Sequence, residues 1–251
     1  MPVTLSALYT PRQKERLREA VQLRASVRAY SEPPSAEEFA ALAYAAGRFA
    51  MPGARLHLMR VDEAFFTGTL LGMRRITGCT MAAALIIRAD EPHARLHAGI
   101  LGESFVLEAT AMGLGTCWVS GSYRKKLLAL PLSPDEAVLC IIALGRPAAP
   151  LQPPQHRRRK HPDQLCRGDR SLWPAELQLA AELVSLAPSA MNMQPWLMWL
   201  NEENDFVLDA GDRSLLDAGI ALCHAELALE TPHIWHFGTD RNQPAAWAEA
   251  K

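Results

Sequence analysis

The chain has 251 residues, 49% of them apolar, and a formal charge of −1. That length can bury a full core as one large domain or two small ones, and the near-neutral balance excludes a whole-chain attraction to nucleic acid or anionic membrane. Five cysteines without C-x-x-C spacing indicate neither a disulfide framework nor a structural zinc site, so reduced thiols in a cytosol are expected.

A charged helical pattern runs from Pro11 to about Leu23, with proline marking its start. Ser35-Ala-Glu-Glu38 opens a second helix as a capping box, followed by strand patterns at 55–61 and 80–88. From His93 to Met112 the apolar spacing predicts a long, mostly buried helix that Gly113-Leu-Gly115 terminates. A short helix and a strand at 137–144 come next. The apolar runs 81–87 and 137–144 are too short to span a bilayer and read as buried strands; the N-terminus lacks the apolar core of a signal peptide. After Gly145 the proline-rich stretch predicts a long loop or arm over 146–165. The second half then reads helix 174–186, strands 196–201 and 205–209, helix 213–230 and strand 233–238. Ala98-Gly-Ile100 and Ala218-Gly-Ile220, each in a long helix, align as a weak internal duplication.

Three segments carry candidate chemistry. Arg24, Ser26 and Arg28 alternate, so two guanidinium groups and a hydroxyl converge in a set that matches a phosphate; the same spacing also fits a solvated helix end. In the loop Ala187-Pro-Ser-Ala-Met-Asn-Met-Gln-Pro-Trp196, the hydroxyl of Ser189 and the carboxamides of Asn192 and Gln194 offer donors and acceptors to something planar and polar. Pro188 and Pro195 stiffen it; a plain helix-to-strand turn is the alternative reading. Gly113-Leu-Gly-Thr-Cys-Trp-Val119 is not a dinucleotide fingerprint, since its glycines follow a helix instead of opening one. The basic run Arg157-Arg-Arg-Lys160 has a bland reading as a solvated loop. His93 and His97 share a helical face without an H-e-x-x-H pattern and read as exposed or capping groups. His233 and His236 point to opposite faces of a strand, and Trp118, Trp196 and Trp199 are most simply core aromatics.

Together the three segments resemble the nitroreductase family of FMN-dependent oxidoreductases, in its fused-repeat branch labelled "putative TM nitroreductase". The resemblance implies an α+β fold, a mostly antiparallel central sheet wrapped by helices with two pseudo-symmetric halves. It covers 1–251 as a single domain, the halves at about 1–145 and 170–251 being joined by a Pro/Arg-rich arm at 146–169. It also implies FMN at the seam, with NAD(P)H as electron donor and a nitro compound, quinone or related acceptor. Alternatives are a flavin-binding protein without turnover and a flavin-free interaction module.

By resemblance the phosphate would be held by Arg24, Ser26 and Arg28, with Arg159 closing over it and Arg157 or Lys160 alongside. Trp118, Ser120 and Gly121 would lay backbone N–H groups against the flavin N5 side, and Pro188, Ser189, Asn192 and Gln194 would reach it from the second half. The cofactor carries the chemistry, so no side chain is assigned as catalytic acid or base. Because that loop follows the other two motifs, it would act in cis, favouring a monomer over the homodimer of ordinary members. Leu70 to Ala84 departs from the family pattern, with Arg74-Arg75 where a Tyr-Gly and an Ala-Pro are expected.

Overall fold

The structure is a computed structural model that describes residues 5–48, 51–67, 75–153, 158–210, 214–238 and 243–250. Helix α1, Pro11–Leu23, starts at a reciprocal cap: Gln13 N–H donates to Thr10 Oγ1 at 3.3 Å and Thr10 N–H to Gln13 Oε1 at 2.8 Å. Its Leu17, Ala20 and Val21 are buried at helical spacing. Helix α2, Ala36–Arg48, uses the same device, with Ser35 N–H donating to Glu38 Oε2 at 2.7 Å. Helix α3, Ala94–Ala111, is buried on nearly every side and ends in a Schellman turn. There Gly113 adopts φ +79° while Leu114 N–H reaches back to the Ala109 carbonyl at 2.9 Å.

Strand β1, Tyr30–Glu32, β2, Ala54–Arg60, β3, Met81–Arg88, β4, Gly115–Val119, and β5, Glu136–Pro147, form one five-stranded sheet. Its named pairs are all antiparallel. One edge of β5 pairs with β3, and the other with β4 and then β1. The second half contributes helix α4, Ala175–Leu186, strands β6, Leu197–Leu200, and β7, Phe206–Asp209, and helix α5, Leu215–Glu226. Strands β8, His233–Phe237, and β9, Ala246–Ala250, complete a four-stranded sheet of order β6-β7-β9-β8. The first sheet contains the equivalent run β2-β3-β5-β4, with a helix before the first strand and another after the second in each half.

The two long helices meet at a reciprocal contact. A Cβ on Gly99 would lie 2.2 Å from the Leu216 carbonyl oxygen, and one on Gly219 would lie 2.0 Å from that of Leu96. Only glycine lets these backbones approach so closely. The two Ala-Gly-Ile segments that align in the sequence are the ones that pack face to face.

Several expectations change. Strands β1, β4 and β9 are not foreseen by local pattern, and β9, not β8, is the last. Strand β5 continues through Arg146 into Pro147 opposite Tyr30, because a proline at a strand's end forfeits no interior ladder bond. The arm therefore begins later than 146. Helix α5 stops at Glu226 instead of 230. Lys14 Nζ takes the Leu229 carbonyl at 2.6 Å, and the Glu176 carboxylate takes the N–H groups of Glu230 and Thr231, which holds that backbone out of the helix. His97 is buried against Phe237, its Nδ1 2.8 Å from the Pro52 carbonyl, rather than exposed. Among the described residues no helix is long and apolar enough to cross a membrane, and no group of three or more His, Cys, Asp or Glu could hold a metal ion.

Candidate flavin site

The Arg24–Arg28 segment leaves α1 and runs beside β4. Val27 N–H donates to the Thr116 carbonyl at 2.9 Å, and Ser26 bridges Thr116 in parallel. Gly115 is needed there, since a Cβ would lie 2.8 Å from the Val27 side chain. The three motif residues are not presented alike: Arg24 is buried, Arg28 half-buried and Ser26 exposed. Burial pulls the Arg24 guanidinium below its ordinary value, offset by the charge of Glu103 and by Cys117. Arg28 folds back to the Ser26 carbonyl at 3.2 Å.

Thr116 directs its carbonyl away from β5 toward this segment, so strand alternation turns the backbone N–H of Trp118 to the same side. That is the side on which the family resemblance puts a flavin. The Trp118 ring turns instead onto α3, over Gly102, and its Nε1 donates to Glu103 Oε2 at 3.1 Å. Ser120 and Gly121 follow on the surface, and Gly121 has nothing within 4 Å of where a Cβ would stand.

Cys117 lies among the same groups. Burial raises its thiol, while Arg28, Arg24 and a hydrogen bond from Ser26 pull the other way. A thiol held above its ordinary value is a poor nucleophile. Cys117→Ser should therefore leave any turnover within a few-fold, measured as steady-state NAD(P)H oxidation; abolished turnover with flavin retained would point to thiol chemistry.

The 187–196 loop joins the arm. Asn192 Nδ2 donates to the Arg158 carbonyl at 2.7 Å, and Arg159 donates to Asn192 Oδ1 at 2.5 Å. Gln194 is buried, its Oε1 accepting from Lys160 N–H at 2.8 Å and its carbonyl from Lys160 Nζ at 3.0 Å. Ser189 Oγ accepts from Gln194 N–H at 2.9 Å, and Pro188 is buried where the loop leaves α4. Met191, Asn192 and Gln194 have φ of +50°, +57° and +49°, a left-handed conformation that non-glycine residues adopt at a cost. Met191 and Met193 project into solvent on either side of Asn192. Trp196 is core, as expected, whereas Trp199 is half-buried under the Arg167 guanidinium at 4.3 Å. Arg157 and the Leu70–Arg74 part of the departing stretch lie outside the described residues.

The structure thus brings Arg24, Ser26 and Arg28 together with β4, and Asn192 and Gln194 together with Arg159 and Lys160. Ser26, Arg28, Arg159 and Lys160 supply hydroxyl, guanidinium and ammonium donors, the set an anionic phosphate requires. The Asn192 and Gln194 carboxamides are engaged by the arm and by the loop's own backbone, so it is the hydroxyl, the cations and the strand N–H groups that fit a phosphate-bearing flavin, with the carboxamides fixing the loop beside them. Sequence reasoning missed Glu103 and His224 beneath the site, although a glutamate inside an apolar helix was a visible signal.

Residues 16–229 match the family model described as "Putative TM nitroreductase". The chain belongs to the nitroreductase family, whose members are oxidoreductases that generally bind flavin. Among solved structures, a "putative nitroreductase" from Thermotoga maritima aligns with a TM-score of 0.62 at 23% identity over 92% of each chain. A Parabacteroides distasonis protein described as a "Putative NADH dehydrogenase/NAD(P)H nitroreductase" reaches 0.48 at 19% identity, over 61% of this chain and 98% of its own. An "FMN-dependent Nitroreductase" from Clostridium difficile reaches 0.42 at 18% identity, over 52% and 87%. No curated protein matched.

Proposed function

We propose that this chain is an FMN-dependent oxidoreductase that takes electrons from NAD(P)H and delivers them in pairs to nitro compounds, quinones or related small acceptors. The observation that carries the reading is the docking of Asn192 and Gln194 onto Arg159 and Lys160, which fixes the second-half loop beside two cations of the kind a phosphate requires. Bound FMN would supply the two-electron chemistry at its N5. Arg24, Ser26, Arg28 and Arg159 would hold its phosphate, with Lys160 beside them. The Trp118 N–H, followed by Ser120 and Gly121, would face the ring, and Pro188, Ser189, Asn192 and Gln194 would close the site. The two halves and the arm would work as one nitroreductase-like domain.

One site per chain is the expected stoichiometry, since the second-half segments around 171–173 and 231–237 lack the Arg-x-Ser-x-Arg and Gly-x-Gly patterns of the first. In the second sheet β8 lies beside β9 at the edge, and the turn Leu5–Leu8 packs against it.

Titration with FMN, followed by absorbance, is expected to show one equivalent bound at micromolar or tighter dissociation constant, with FAD weaker. Anaerobic NAD(P)H should then bleach the bound flavin, and a quinone or nitroaromatic restore it. Failure to bind FMN would sink the reading. A yellow protein that neither nicotinamide reduces would instead be a flavin store or sensor.

A further inference from the structure

The corner between α5 and β8 holds a buried charge cluster that the candidate site does not use. Glu226 of α5 is buried, its Oε1 accepting from Lys14 Nζ of α1 at 2.8 Å and its Oε2 from Trp235 Nε1 of β8 at 2.9 Å. The same Oε2 lies 2.8 Å from Nε2 of His233, itself buried, whose Nδ1 lies 2.7 Å from the Thr231 carbonyl. Lys14 Nζ also takes the Leu229 carbonyl, and Glu176 of α4 takes the N–H groups of Glu230 and Thr231. Three helices and a strand thus meet at residues 229–233.

A carbonyl only accepts, so His233 Nδ1 carries a hydrogen, and the carboxyl oxygen opposite Nε2 requires a second proton in that contact. Glu226 already accepts from an ammonium and an indole, which favours its anionic form, so the second proton sits on the imidazole. Burial pushes the His233 ring down, but the Glu226 carboxylate and the Thr231 carbonyl outweigh it and hold the ring above its ordinary value. Burial likewise pushes the Glu226 carboxyl up, but His233 and Lys14 hold it below its own. Among the other elements packed on His233, α4 adds one charge, the half-buried Glu176 across Thr231. Strand β9 sets Ala250 opposite it, and the turn Leu5–Leu8 has no ionisable side chain. Two cations therefore face two carboxylates only while His233 keeps its proton.

We propose that Lys14, Glu226 and His233 form a proton-dependent clasp: while His233 is an imidazolium, the α5–β8 corner is locked to α1 and α4, and loss of that proton at alkaline pH opens it. A neutral ring keeps one hydrogen, so either the Thr231 carbonyl or the Glu226 carboxylate would then face a lone pair. The clasp stands apart from the flavin reading. It nevertheless bears on that site, because α1 continues into Arg24–Arg28 and α4 into the 187–196 loop.

A group that holds its proton more tightly in the folded chain stabilises the fold fully below its unfolded value and ceases to do so as pH rises through the folded one. His233→Gln keeps a donor for Glu226 but cannot take up a charge. Thermal midpoints of the full chain, measured from pH about 6 to about 9, are expected to put this variant about 3 °C or more below wild type at the acidic end and level with it at the alkaline end. Parallel profiles, or a greater loss at the alkaline end, would overturn the proposal.

Ring nitrogen chemical shifts in the wild-type chain give a second reading that needs no variant to fold. Both nitrogens of His233 should remain protonated at a pH where free imidazole in the same buffer is already neutral. A His233 that loses its proton together with free imidazole, or before it, would overturn the clasp whatever the thermal profiles show.

Discussion

Gly219→Val is expected to leave the chain without a cooperative fold, and Gly99→Val to do nearly the same. The helices α3 and α5 touch backbone to backbone at these positions, and an added Cβ would lie 2.0 Å or 2.2 Å from a main-chain oxygen of the facing helix. A flexible side chain could swing aside, but a helical carbonyl cannot, so the helices would have to separate. Overpacking of a core costs about 1–3 kcal/mol where side chains can adjust, and a backbone collision lies beyond that range. Against a total stability of roughly 5–15 kcal/mol, the loss is a large fraction. Separation would also pull Glu103 from His224 and Ser104 from Cys223, the two bonds that continue the same seam. Soluble yield and the urea midpoint measure the effect, with Gly121→Ala as a control expected to change stability by less than about 0.5 kcal/mol. A Gly219→Val midpoint near wild type would mean that the close approach is not needed.

Features encoded by neighbours in sequence were legible. The proline start at Pro11, the cap at Ser35 and the left-handed Gly113 depend on spacings of a few residues, and all lie where their patterns place them; the Thr10 capping box beside Pro11 was not foreseen. Strand β4 was hidden because Gly-Thr-Cys-Trp-Val has its pairing supplied from afar, by β5 and by the segment at Ser26. Strand β9 was hidden for a related reason: Ala-Trp-Ala-Glu-Ala carries alanines that favour helix, and pairing with β7 and β8 overrides them.

At the site, residue types and spacings pointed to phosphate and ring contacts, and the motif order suggested that the second half serves the first. What spacing could not reveal was which side chains turn inward. Arg24 disappears under the surface while Ser26, two residues on, stays exposed, because the segment leaves a packed helix before reaching the edge of β4. The Trp118 ring likewise spends itself on Gly102 and Glu103, leaving backbone as that residue's contribution toward a ligand.

Arg28→Ala is expected to weaken FMN binding by about one to two orders of magnitude, since each charge-assisted bond to the phosphate contributes about 1.5–3 kcal/mol. Arg95→Ala, an exposed position on α3, should have no such effect. Asn192→Ala should also weaken binding, through loss of its bonds to the Arg158 carbonyl and Arg159, which free the loop from the arm. If the loop closes over the flavin held by Arg28 of the same chain, each variant lacks part of its own site, and mixing the two restores nothing. If instead the loop reaches a neighbouring chain, as in a dimer with shared sites, a mixed dimer would contain one site with both Arg28 and Asn192 intact. Flavin stoichiometry after co-refolding the two variants separates these cases. No recovery, with one flavin per wild-type chain, is the expected result; recovery toward about a quarter of the wild-type stoichiometry, half the dimers being mixed with one intact site of two, would refute the cis site and make the dimer the functional unit.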